Sequence, residues 1–130
     1  MGRDNAHGLP AHWIDRVHFE YSGTASGGTE VVMYSDGTTT ARALTSTERL
    51  CVKELMVTID TAGSARFFFD ADDGNDADAG EILAQGYFGA NGGFTLSFPV
   101  TGSAGAKPHV IITGGGNVRV SGVGYILKDS

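Results

Sequence analysis

EILAQGYFGANGGFTLSF, residues 81–98, is the stretch of sequence that decides the fold class. Its first half places apolar side chains at even positions. In the second half Phe94 and Leu96 lie on one side, and Thr95 and Ser97 lie on the other. This period of two is typical of a strand with one buried face. The GANGG segment between the halves tolerates the backbone angles of a tight turn. The stretch therefore predicts a β-hairpin.

The same period recurs elsewhere along the chain. In WIDRVHFEYS, Val17, Phe19 and Tyr21 alternate with polar residues, which predicts a first strand with one apolar face. Turn signals recur roughly every 8–12 residues, as in sandwiches and barrels. Residues 13–130 are therefore predicted to form one all-β domain, an antiparallel β-sandwich or jelly roll of about eight strands. Further strands are predicted at EVVMY (30–34), RFFFD (66–70), HVIIT (109–113) and 118–127, the last two joined as a hairpin through GGGN (114–117).

One segment is also compatible with a helix. Thr45 and Glu48 have the spacing of a capping box, which would begin a helix in TSTERLCVKELM. Val52, Val57 and Ile59 are β-branched and favour a strand, and a turn follows at TAGS (61–64). The strand is the preferred prediction for residues 50–59.

The first twelve residues form a separate segment. They are polar, contain Gly2, Gly8 and Pro10, and show no periodicity. We expect an extended N-terminal arm over residues 1–12. Two states remain open for it, a disordered tail and an arm that orders on a neighbouring subunit.

Composition excludes several classes of protein. The net charge is −6, and the nine Lys and Arg residues are scattered, so no direct nucleic-acid partner is expected. Cys51 is the single cysteine, which excludes an internal disulfide and fits assembly in a reducing cytoplasm. The N-terminus lacks the apolar core of a secretory signal, and no apolar run is long enough for a membrane span, so no membrane partner is expected.

The acidic residues concentrate in one loop, DADDGNDADAGE (70–81). Its spacing partly matches a calcium loop, since calcium prefers several oxygen ligands. The match fails where Gly74 replaces a ligand and Asn75 replaces the turn glycine. The alternative is a solvated loop between strands, where Asp, Asn and Gly are common turn formers. The candidate calcium ligands are Asp70, Asp72, Asp76, Asp78 and Glu81.

No catalytic constellation is evident, so an enzyme is not predicted. The four histidines lack the spacing of zinc ligands, and no G-x-S-x-G nucleophile motif occurs. Gly114, Gly115 and Gly116 are not followed by the lysine and helix that a phosphate loop requires. The sequence thus describes a scaffold more clearly than a chemistry.

The order of features over residues 45–127 resembles a known group. An apolar strand, a turn, an aromatic strand and a variable loop precede EILAQGYFGANGGFTLSFPV, and a Gly-rich loop precedes NVRVSGVGYIL. This pattern resembles the jelly-roll capsid decoration, or cement, proteins of tailed bacteriophages. The resemblance rests on apolar positions and turns, without a catalytic motif, and it does not extend to residues 1–44.

The resemblance implies a structural role. Such proteins typically bind as homotrimers to the outside of the head and clamp the major capsid protein lattice. The expected location is then the outer capsid surface of a virion assembled in the host cytoplasm. Aromatic residues dominate interface energetics, so Trp13, Phe19 and Tyr21 are the candidate contacts. The alternative function is a carbohydrate- or receptor-binding β-sandwich module of a phage tail.

Overall fold

A computed structural model describes residues 11–35, 37–71, 82–97 and 99–129. Within these residues the protein consists of strands without a helix, in two antiparallel sheets that pack face to face. The predicted all-β sandwich is confirmed. The ten strands are β1 (Ala11–Gly23), β2 (Thr29–Glu30), β3 (Met33–Ser35), β4 (Glu48–Ile59), β5 (Gly63–Asp70), β6 (Ile82–Phe88), β7 (Gly93–Leu96), β8 (Val100–Thr101), β9 (Lys107–Ile112) and β10 (Val118–Asp129).

Eight of these strands pair in the nested order of a jelly roll. The outermost pair is β1 with β10, followed inward by β2 with β9, β4 with β7, and β5 with β6. The large sheet has the order β3-β1-β10-β4-β7, with β8 also on β4, and the small sheet has the order β2-β9-β5-β6. The predicted count of about eight corresponds to the jelly-roll strands, and the short strands β3 and β8 are additional.

The predicted hairpin at residues 81–98 is wrong in its pairing. Both strands form, but β6 belongs to the small sheet and β7 to the large one. The turn carries the chain across the sandwich, with Asn91 at φ 64° and the Gly92 amide donating to the Gly89 carbonyl at 3.0 Å. Phe88 and Phe94 then meet through the core, with ring centroids 5.8 Å apart. A period of two shows which face of a strand is buried but does not show which strand lies beside it.

Two other predicted connections are corrected in the same way. The GGGN turn joins β9 of the small sheet to β10 of the large sheet, so it does not close a hairpin. The predicted strand at 30–34 is two strands, β2 and β3, in different sheets. Val31 between them is fully buried, and its amide donates to the Pro108 carbonyl at 2.9 Å. The chain thus crosses the core at Val31, which explains the apolar run.

Strand β4 is a strand and not a helix, as predicted. It lies between β10 and β7 near the middle of the large sheet. Leu50 and Val52 face the core, and so do Leu55 and Val57 three residues further on. A register shift opposite Val123 and Gly124 of β10 accounts for this step. The bulge changes the direction of the side chains in the second half of β4. Met56 and Thr58 therefore lie on the outer face of the large sheet.

Aromatic side chains fill the centre of the core. The rings of Phe19 and Phe67 lie 6.0 Å apart, and Phe69 meets Phe67 edge-on at 6.4 Å. Gly122, opposite Phe19 on β10, leaves room for the Phe19 ring. A Cβ at Gly122 would lie 2.5 Å from both that ring and the Glu54 carbonyl oxygen. The absence of a side chain at Gly122 therefore lets Phe19 and β4 lie close to β10.

Both ends of the described chain lie at one end of the sandwich. Ala11 pairs with Asp129, and Glu48 pairs with Lys128 on the other side of β10. Because Ile59 and Gly63 are joined by a short turn at the opposite end, Asp70 also lies at the first end. We call this the arm end. Strand β1 begins at Ala11, inside the segment predicted as an arm, and residues 1–10 of that segment lie outside the described residues.

Candidate interaction surfaces

The aromatic residues predicted as contacts do not form one surface patch. Phe19 is 1 % exposed and lies in the core, so its ring is not available to a partner. Tyr21 is half-buried against the core, and its hydroxyl donates to the Thr24 carbonyl at 2.5 Å. Trp13 pairs with Leu127 through the strand backbone, and its side chain lies outside the described residues. The apolar face of β1 thus packs on the small sheet, and its polar face is the one that a ligand can reach.

Asp70, one of the candidate calcium ligands, is part of a buried cluster. Its Oδ2 lies 3.5 Å from Nε2 of His109, and the two side chains are 0 % and 1 % exposed. The His109 ring packs on Phe68, with centroids 5.5 Å apart, and its Nδ1 lies 3.2 Å from the Lys107 carbonyl oxygen. The start of the acidic loop is therefore fixed by packing and by a histidine neighbour, a contact that the sequence did not indicate.

The calcium site itself remains a prediction. Asp72, Asp76, Asp78 and Glu81 lie outside the described residues. Within residues 11–35, 37–71, 82–97 and 99–129, no three His, Cys, Asp or Glu side chains are grouped closely enough to hold a metal ion.

A charged cluster fixes the loop before β4. Arg42 donates from Nη1 and Nη2 to the two carboxylate oxygens of Glu48, at 3.0 Å each, and from Nε to Asp15 at 2.9 Å. The Thr45 amide donates to Glu48 Oε1 at 2.9 Å. Hydrogen bonds from Arg42 lower the pKa of Glu48 to about 2, against burial, with further help from Thr45. The same bonds raise the pKa of Arg42. This cluster ties β1, the loop and β4 together.

A smaller polar network closes the opposite end of the sandwich. Asp60 follows β4, and its Oδ1 accepts a hydrogen bond from the Asn117 amide at 2.7 Å. The Thr61 hydroxyl also donates to Oδ1, at 3.0 Å. These bonds, the Asn117 amide foremost, lower the pKa of Asp60. Asp60 thereby anchors the glycine turn that precedes β10.

A groove crosses the outer face of the large sheet. It has a volume of about 580 Å³ and is lined by side chains from β1, β4 and β10 and from the segment around β3. The strand register determines which residues line the groove. Across β1, β10 and β4, one row consists of Glu20, Ser121 and Met56, and the next row consists of Ser22, Arg119 and Thr58. We call it the outer groove and define it by Glu20, Tyr34, Met56, Thr58, Arg119 and Ser121.

Two features give the outer groove a mixed character. Tyr34 stacks on His18 of the neighbouring strand, with centroids 5.4 Å apart and planes at 25°. Val32 and Met56 are 37 % and 49 % exposed, unusual values for large apolar side chains in the described part of the protein. Apolar surface and charged groups therefore share one open depression. Its residues are far apart in sequence, so sequence reasoning could not assemble them.

Strand β6 supplies the second surface. It is the edge of the small sheet, and no described strand pairs with its outer side. The other edges are short, with two to four residues in β2, β3, β7 and β8. β6 has seven residues, ILAQGYF, without a charge or a proline, and its Tyr87 is 88 % exposed. A long uncharged edge offers unpaired backbone groups to another chain.

Comparison with known proteins does not add an identification. No protein-family model matches the chain, and no curated protein sequence matches it. The described residues contain no helix of the length and apolarity needed to cross a membrane. The resemblance to decoration proteins therefore enters below as a proposal.

Proposed function

We propose that this chain is a virion structural protein, a decoration or cement protein that binds and stabilises the outer surface of a phage head as a homotrimer. The observation that carries the proposal is the open β6 edge. Soluble sandwiches normally protect such edges with charges, prolines or short strands. Among the described residues, this domain has short strands at its other edges and no strand beside the outer side of β6, as expected of a subunit that works in contact with other chains.

The jelly-roll order supports the same role. The segments that carry the resemblance, within residues 45–127, form β4 to β10 of one continuous scaffold. Strand β1 begins at Ala11, which pairs with Asp129 at the arm end. We assign the contact with the major capsid protein lattice to that end. Three such contacts in a trimer would hold much longer than one, because the later ones form at high effective concentration.

The first test is the oligomeric state of the free protein. Native mass spectrometry and sedimentation velocity are expected to give three times the chain mass of 13.5 kDa. Lysines at the exposed β6 positions, Gln85→Lys with Tyr87→Lys, are expected to give monomers, since they place charges on the edge that would contact a different surface of the next chain in a threefold ring. Thr95→Lys, at an exposed position on the short β7 edge, is the matched control and should remain trimeric.

The second test is binding to the capsid. The purified chain is mixed with heads of the phage that encodes it, from which the chain has been removed, and the heads are sedimented. Saturable co-sedimentation and greater resistance of the heads to heat or chelation are expected. A chain that is monomeric at every concentration and that remains in the supernatant would refute the proposal.

A further inference from the structure

The outer groove has the chemistry of a ligand site that the proposed structural role does not use. We propose that it binds a saccharide, and specifically a short, uncharged oligosaccharide segment. The inference does not depend on the capsid proposal. It rests on the juxtaposition of Glu20, Arg119 and Ser121 with Tyr34 and Met56 on one face of the large sheet.

The polar groups of the groove are available to a ligand. Within the described residues, the side chains of Glu20, Arg119 and Ser121 form no hydrogen bond or ion pair with one another or with a neighbour. A carboxylate only accepts hydrogen bonds, a guanidinium only donates them, and a serine hydroxyl does both. Adjacent sugar hydroxyls donate and accept at neighbouring positions. The groove therefore presents the complement of a vicinal diol.

The strand register sets the spacing of these groups. Glu20 lies opposite Ser121, and Arg119 lies opposite Ser22, so Glu20 and Arg119 are diagonal neighbours on adjacent strands. Such positions are typically about 7–8 Å apart. The long side chains of Glu20 and Arg119 can therefore both reach a single sugar ring bound between them. Both strands are paired on either side, which holds the two side chains on a rigid base.

The apolar part of the groove fits the other face of a sugar. The carbon–hydrogen face of a pyranose ring packs against aromatic and aliphatic side chains, and Tyr34 is held in place by its stack on His18. Met56 and Val32 extend this surface. The volume of about 580 Å³ lies within the range of about 300–1,000 Å³ for small-ligand sites.

Charge and area favour a saccharide over other ligands. Glu20 and Arg119 balance each other, so the groove offers no net attraction to a polyanion. Its apolar surface is interrupted by charged groups, which disfavours an acyl chain or an apolar helix. A neutral polyhydroxylated ligand satisfies the free donors and acceptors without adding an unpaired charge.

The experiment uses the isolated protein, residues 1–130. It is applied to an array of bacterial and animal oligosaccharides, and the strongest neutral ligand is then titrated by calorimetry and by amide chemical shifts. Shifts are expected to cluster on β1, β4 and β10 around the outer groove. Arg119→Ala and Tyr34→Ala are expected to weaken binding about tenfold or more, because each removes a direct contact. Glu20→Gln keeps the shape of the side chain and tests whether the negative charge of Glu20 contributes to the affinity for the sugar.

The matched control is Arg66→Ala, which replaces another exposed arginine, on β5 of the small sheet. It is expected to bind within about twofold of the wild type, because it does not line the groove. Unchanged melting temperatures show that the variants are folded. Absence of binding up to millimolar sugar, or equal losses in Arg66→Ala and Arg119→Ala, would overturn the proposal. A protein that binds sugar but not phage heads would refute only the capsid role, and the reverse result only the saccharide site.

Discussion

Replacing Glu48 by glutamine is expected to destabilise the domain by about 3 kcal/mol at pH 7 and by about 1 kcal/mol at pH 3. Glu48 is 6 % exposed and accepts hydrogen bonds from Arg42 and Thr45. Folding lowers the pKa of Glu48 from 4.5 to about 2. Glutamine removes the charge that Arg42 stabilises and leaves the guanidinium with Asp15 as its charged partner.

The magnitude and its pH dependence follow from this change in pKa. A difference of about 2.5 pH units corresponds to about 3 kcal/mol, at about 1.4 kcal/mol per unit. Because the pKa of Glu48 is lower in the folded state, its stabilisation is fully present above the unfolded value of 4.5. It decreases as the pH falls from 4.5 towards 2, where the folded protein also takes up the proton. The loss of unfolding free energy caused by Glu48→Gln must therefore decrease as the pH falls.

The assay is urea unfolding followed by circular dichroism of the strands at several values between pH 7 and pH 2.5. Comparison with the wild type at each pH cancels the contribution of the other carboxylates. Glu54→Gln is the control, since Glu54 is exposed on the same strand and forms no ion pair with a described residue. It should cost less than about 0.5 kcal/mol at any pH. A cost of Glu48→Gln that is small, or that is equal at pH 7 and pH 3, would show that the Arg42 contact does not stabilise the fold.

Two further predictions concern the backbone. Gly122→Ala is expected to lower the free energy of unfolding by about 2 kcal/mol or more, measured by thermal unfolding, because the new Cβ would collide with the Phe19 ring and a carbonyl oxygen. Gly27→Ala is the control and should be nearly neutral, because a Cβ at Gly27 would have nothing within 4 Å. An equal effect of the two would contradict the packing described here. Asp60→Ala is expected to reduce amide-exchange protection at Asn117, and wild-type protection should fall as acidification passes through the lowered pKa of Asp60. Protection that is insensitive to both changes would exclude this anchor.

The strands could be predicted from local sequence, but their pairing could not. Alternation over β7 and β-branched residues in β4 identified both as strands, since each pattern reflects burial of one face. The partner of a strand depends on the path of the chain through the whole sandwich. A turn such as GANGG permits a hairpin and a crossing of the core equally well. The assumption that neighbours in sequence pair in space therefore failed at residues 81–98.

The surfaces were harder to predict than the scaffold, for a related reason. The alternation in β1 showed one apolar face, but the sequence does not state whether that face meets a partner or the protein's own second sheet. Phe19 meets the second sheet. The residues proposed to bind a ligand lie on the outer, polar face of the large sheet. Glu20 and Arg119 meet there although β1 and β10 are near opposite ends of the chain. The capping-box spacing of Thr45 and Glu48 did indicate a real hydrogen bond, although it precedes a strand.

The two proposed surfaces lie on different parts of the sandwich, which bears on how they could act together. The outer groove lies on the outer face of the large sheet, over strands β3, β1, β10 and β4. Strand β6 is the edge strand of the small sheet and packs beneath β7, the edge strand of the large sheet that follows β4. Chains that associate through β6 therefore leave the grooves uncovered. A trimer would present three identical sites, and weak binding by each would add up on a surface that carries many copies of one glycan. Assembly on a head would then increase the affinity of the particle for such a surface without any change in the groove itself.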